Sequence, residues 1–73
     1  MELEVGTRLV IMNIEGVRKE YRGKRCVIIE SHPLFYQVKM ETGETINRLV
    51  KLRKRNFGHN YKLYVKNKGG WIF

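Results

Sequence analysis

Hydrophobic and polar residues alternate with a period of two over much of this chain, the pattern of strands that bury one face. In Phe35-Tyr36-Gln37-Val38-Lys39-Met40-Glu41, the side chains of Tyr36, Val38 and Met40 fall on one side and those of Gln37, Lys39 and Glu41 on the other. Residues 61–66 repeat the pattern, so Tyr61, Leu63 and Val65 are expected to face inward and Lys62, Tyr64 and Lys66 outward. Residues 7–13 and 25–30 are rich in β-branched side chains and apolar on both sides, as expected of strands between a barrel interior and a second packing surface.

Turn chemistry separates these segments. Residues 13–23 are a mostly polar loop with glycines at positions 16 and 23, and Pro33 confines His32 to an extended or turn conformation. Gly43, in Glu41-Thr42-Gly43-Glu44, supplies the positive φ of a tight reversal into Thr45-Ile46-Asn47. Residues 67–70 end the last strand, and Trp71-Ile72-Phe73 closes the chain with Trp71 expected in the core. Ile46, Leu49, Val50 and Leu52 are spaced as well for one helical turn as for a strand. A short helical or 3-10 turn is expected near residues 48–52, although no capping box precedes it.

Five short strands, a long loop after the first and a tight hairpin between the third and fourth predict an all-β fold, a small partly open barrel in one domain over residues 1–73. A chain of 73 residues buries only about 60% of the surface it exposes when unfolded, so nearly all of its large apolar side chains are needed inside. The longest apolar runs, Leu9–Met12 and Cys26–Ile29, are four residues each, against the roughly 20 required to cross a bilayer. No membrane partner is expected. The opening MELEVG lacks the basic-then-apolar layout of a secretory signal, and the single Cys26 makes no internal disulfide. A cytoplasmic protein is therefore expected.

Val5-Gly6-Thr7-Arg8-Leu9-Val10-Ile11, followed by Tyr21-Arg22-Gly23-Lys24-Arg25-Cys26-Val27-Ile28-Ile29-Glu30, resembles the KOW-type opening of SH3-like barrels. By that resemblance Gly23 stands at the motif's central glycine and Gly6 at the earlier one. Residues 40–46 resemble the family's later hairpin, and the likeness covers roughly residues 5–50. The loop at residues 14–22 is longer than usual, and Cys26 stands where the family commonly has glycine. The resemblance implies a five-stranded SH3-like barrel of the kind found in ribosomal proteins, transcription elongation factors and small phage regulators, which binds RNA, DNA or protein.

Charge sharpens the expectation. The formal net charge is +8. Residues 1–44 hold seven basic side chains and all seven glutamates, whereas residues 45–73 hold eight basic side chains and no acid. A one-sided excess in so small a domain opposes folding, which suggests that its field serves to attract a polyanion.

Catalytic groups are sparse. There is no aspartate, and His32, His59 and Cys26 lack metal-ligand or nucleophile-base spacing, so neither enzymatic activity nor a metal or other cofactor is expected. No small-molecule substrate is evident.

Binding residues are better represented. One cluster places Arg18, Lys19, Arg22, Lys24 and Arg25 around Tyr21; another places Arg48, Lys51, Arg53, Lys54 and Arg55 within eight residues. Lys62, Lys66 and Lys68 follow on the final strand. These cations suit phosphates; Phe57 and Tyr64, with Tyr61 or Trp71 as alternatives, offer rings on which unpaired bases stack, and Tyr21 is a candidate binding residue within the first cluster. The expected function is sequence-tolerant nucleic-acid binding, RNA or single strands favoured, on one continuous basic face built mainly from residues 45–73. The alternative is a small phage-type regulator or inhibitor that docks on an acidic surface of a host protein such as RNA polymerase, a nuclease or a DNA-binding protein.

Overall fold

The computed structural model describes residues 2–67 and 70–72, with side chains as far as Val65. Its strands are β1 (Arg8–Ile11), β2 (Arg25–Ser31), β3 (Phe35–Met40), β4 (Leu49–Arg53), β5 (Tyr61–Leu63), β6 (Val65–Asn67) and β7 (Gly70–Ile72). The first five form one antiparallel sheet in the order β4-β3-β2-β1-β5, curled into a half-barrel; β6 and β7 pair with each other as a separate hairpin. The expected all-β class holds, with 3-10 turns at Lys19–Tyr21 and Lys54–Asn56 and no α-helix among the described residues.

Alternation decides what each strand buries. Leu9 and Ile11, Cys26 and Ile28, and Tyr36, Val38 and Met40 lie in the core with Tyr61, while Val50, Leu52, Leu63 and Phe57 pack against it. Two residues of β2, Ile29 and Glu30, stand opposite the single Gln37 of β3, a bulge that bends the sheet. Curling brings the edge strands together: the Tyr61 hydroxyl of β5 donates to the carbonyl of Arg53 at the end of β4 at 2.8 Å. Across the barrel's end, the backbone N–H of Leu3 donates to the Tyr36 hydroxyl at 2.8 Å, and the Leu3 side chain enters the core.

Three expectations are corrected. Residues 49–53 are strand, not a helical turn: Val50 and Leu52 pair in register with Val38 and Tyr36, and the open edge of β3 outweighs local spacing. The connection between β3 and β4 is longer than a tight hairpin. It occupies residues 41–48, turns at 44–47 with Asn47 at φ 71°, and is closed at its base by Asn47 N–H to the Met40 carbonyl and Met40 N–H to the Arg48 carbonyl. The segment 61–66 breaks at Tyr64, so Val65 belongs to β6 and is exposed rather than inward. The expected core position of the Trp71 side chain lies outside the described residues.

Gly23 needs its lack of a side chain. At φ 71° it turns the end of the β1–β2 loop so that its N–H reaches the Ile11 carbonyl at 2.8 Å.

Replacing Tyr61 with Phe removes the bond between the edge strands while keeping the ring, and is expected to destabilise the protein by about 1 kcal/mol. The urea midpoint should fall with the slope unchanged.

Alkaline pH tests the dry core. Burial pushes the Cys26 thiol up to about 12, helped by the Glu41 carboxylate. Burial, then the neighbouring Tyr36 and Cys26, pushes the Tyr61 phenol up to about 12. The unfolded values are about 8.5 and 10. A folded pKa above the unfolded one gives a stability contribution that is complete below the unfolded value and lost as pH rises toward the folded value. Stability is thus expected to decline from about pH 8.5 to about 12, and Cys26→Ala should remove the earlier part of that decline in urea midpoints measured across the range.

Candidate nucleic-acid interface

The outer face of the sheet follows from the same alternation. Arg8, Val27, Lys39 and Leu49 lie in one row across β1 to β4, Gln37 stands opposite Lys51, and Phe35 opposite Arg53. Neighbouring strands lie about 4.8 Å apart, so the side chains of each row are in reach of one another. At the β2–β3 turn the His32 ring stacks on Phe35, with centroids 4.5 Å apart and planes 17° from parallel. Lys51 places its ammonium over the other ring system, 5.2 Å from the Phe35 centroid. His32 Nε2 also lies 2.9 Å from Glu30 Oε1, which holds the imidazole in place. Leu34, at the tip of this turn, is 75% exposed.

Two shallow grooves flank Leu34 and Arg53. One, of about 310 Å³, is lined by Leu34, Phe35, Lys51 and Arg53; the other, of about 300 Å³, by Pro33, Leu34, Arg53, Lys54 and Arg55. The 3-10 turn at Lys54–Asn56 is anchored to the first by the Lys54 N–H donating to the Leu34 carbonyl at 3.0 Å. A half-exposed aromatic pair is therefore bordered by Lys51 and Arg53, with Lys54 and Arg55 lining the adjoining groove. Such a surface combines ring faces for stacking with charge for phosphates.

The remaining expected residues separate into three groups. Arg18 and Lys19 are exposed on the β1–β2 loop, and Arg18 lies 3.8 Å from Glu20. Arg22 is committed to that loop's own structure, donating to the Val17 and Glu15 carbonyls at 2.8 and 3.2 Å. Lys24 lays its stem over Gly43, where an added Cβ would meet its Cε at 2.8 Å. Arg48 reaches the Tyr21 hydroxyl at 3.4 Å, so it joins this loop end of the barrel rather than the cations of β4. On the far side, Arg25 donates to the Tyr64 hydroxyl at 2.7 Å and sits over its ring at 5.0 Å, while Lys62 lies on edge strand β5. Lys66 is in β6, its side chain outside the description, and Lys68 is outside the described residues altogether.

Five residues of extended chain, about 16 Å, separate Arg48 from Arg53, and Lys62 and Lys51 lie on the two edge strands, which the curl brings toward each other. Two of the candidate aromatic residues take part in packing. Tyr21 is buried, and Phe57 packs edge-on against Tyr61, with centroids 5.6 Å apart. Each fills space that this small core needs. Phe35, His32, Leu34, Lys39 and Arg8 were not among the expected site residues. For Phe35 the signal was present, since the alternation that buries Tyr36, Val38 and Met40 turns Phe35 outward with Gln37 and Lys39; for the His32 stack, which depends on the turn's conformation, no sequence signal existed.

Among the described residues, no three His, Cys, Asp or Glu side chains come together as a metal site, and no helix is long and apolar enough to cross a membrane. No protein-family model, curated protein or solved structure matches the chain.

The contrast between the two phenylalanines is measurable. Phe57→Ala is expected to cost about 2–3 kcal/mol because it opens a gap beside Tyr61, whereas Phe35→Ala should cost no more than about 1 kcal/mol. Urea denaturation of the two variants checks this ordering.

Proposed function

We propose that this protein is a non-enzymatic, sequence-tolerant nucleic-acid-binding module that takes single strands or RNA on the surface around Phe35. The observation that carries the reading is the stacked His32–Phe35 pair with Lys51 over it and Arg53 opposite it in register. An unpaired base stacks on an exposed ring at about 1–3 kcal/mol whatever its identity, and the bordering cations neutralise the backbone that carries it. Duplexes keep their bases stacked on each other and so gain less from such a ring. The sheet order, together with positive φ at Gly6 and Gly23, agrees with an SH3-like barrel of KOW type, and we take the chain to be one.

A second reading rests on a different observation. Leu34 is 75% and Leu49 53% exposed, and apolar groups held out beside cations also suit an acidic protein surface. In that reading the chain is a small regulator, of the phage inhibitor type, and the same cations steer it to its partner.

Anisotropy of a labelled oligo(U) or oligo(dT) separates the readings. With about four phosphate contacts, log K against log salt should fall with a slope near −3. The double variant K51E/R53E should bind at least about tenfold more weakly, and R18E/K19E should change binding little. Affinity that is insensitive to salt, or equal losses in the two double variants, would remove the nucleic-acid reading. A partner retained from lysate after nuclease treatment and lost on Leu34→Asp would favour the regulator.

A further inference from the structure

Lys54 does not project freely from the basic surface. Its ammonium donates to both oxygens of Glu2, at 2.7 and 2.9 Å, and Ser31 Oγ donates to Glu2 Oε2. It also sits 5.0 Å from the centroid of the Tyr36 ring. The Lys54 side chain is only 22% exposed, while the Glu2 carboxylate that closes over it is 60% exposed. The cation is thus built into the protein and its anion comes from the solvent side. Residue 2 is brought there by its neighbour: Leu3 is buried, and its N–H is held by Tyr36. The bond from Lys54, and then the bond from Ser31, lowers the Glu2 pKa from its ordinary value.

An ammonium and a hydroxyl converging on one oxyanion also satisfy a phosphate. The position matters too, because Lys54 lines the groove that Leu34 and Arg53 divide from the Phe35 groove. A strand with one base on Phe35 would bring a neighbouring phosphate toward it. We propose that Lys54 Nζ and Ser31 Oγ form a phosphate subsite that Glu2 occupies in the free protein, so that the N-terminal strap is a built-in competitor which a nucleic-acid phosphate displaces. The proposal rests on the nucleic-acid reading for its physiological ligand, but the subsite itself is testable with phosphate alone.

Glu4 supplies the control. It is exposed and two residues away, so E4Q changes net charge as E2Q does without touching Lys54. Neither substitution removes the bond between Leu3 and Tyr36. With labelled oligo(dT), E2Q is expected to bind about two- to fivefold more tightly than E4Q, the range set by release of one partly exposed ion pair. Its salt slope should be steeper by about 0.7, one further phosphate contact to a single strand. In a Lys54→Ala background the two variants should bind alike. Separately, inorganic pyrophosphate titrated into E2Q should shift the amide resonances of Ser31, His32 and Lys54 saturably, and should do so in wild type only at higher concentration.

Equal affinities of E2Q and E4Q with no localised shift would overturn the subsite while leaving oligonucleotide binding by the wild type intact. Shifts spread evenly over the basic surface would overturn it as well. Localised shifts without any oligonucleotide binding would keep the subsite and remove the nucleic-acid reading.

Discussion

The hydrogen bond from Tyr61 to the Arg53 carbonyl is the contact on which this small barrel's geometry turns. β4 and β5 are the two edges of the sheet, and an edge is a row of unpaired backbone groups that a protein must pair, cover or bend away. Here the curl brings one edge to the other, and a fully buried phenol spans the remaining gap at 2.8 Å. Burial there, with Tyr36 and Cys26 nearby, pushes the Tyr61 phenol up to about 12. Because Arg53 is the last residue of β4, its fixed carbonyl also sets where the 3-10 turn at Lys54–Asn56 begins, and so where three consecutive cations point.

The arrangement shows how a chain this short carries so much positive charge. Its interior is filled by alternate residues of five strands, which leaves the other residues of each strand for the outer face. Those outer positions are not simply polar. Val10, Val27, Ile29 and Phe35 are half-buried there, and the long stems of Arg8, Arg25, Lys39 and Lys51 share the face with them while their charged ends stay in water. Lys51, Arg53, Lys54 and Arg55 gather in the two grooves beside the half-buried Phe35 ring.

Folding and the proposed binding surface meet at the N-terminal strap. Leu3 belongs to the core and Glu2 to the surface, and the two are adjacent in sequence. Docking Leu3 therefore delivers a carboxylate to Lys54 without a separate binding step, which keeps the entropic cost of holding that ion pair low. A cation at this position is satisfied in the free protein and still open to exchange, because its partner is mostly in water.

The all-β class and the strands β1, β2 and β3 were legible in the sequence, and for β3 the buried face as well, because period-two alternation is a local property and Tyr36, Val38 and Met40 obey it without interruption. The basic bias of the second half was legible for the same reason. Position on the barrel was not. Residues 48–52 carry a spacing that suits helix or strand equally, and only the free edge of β3 made them a strand. The separation of Arg48 from Arg53, the meeting of Lys54 with Glu2 and Ser31, and the stacking of His32 on Phe35 all depend on which elements the curl makes neighbours. Alternation in the sequence determined which side of a strand each residue occupies; the tertiary structure alone decided which charges and rings share a surface, because those contacts join residues far apart along the chain.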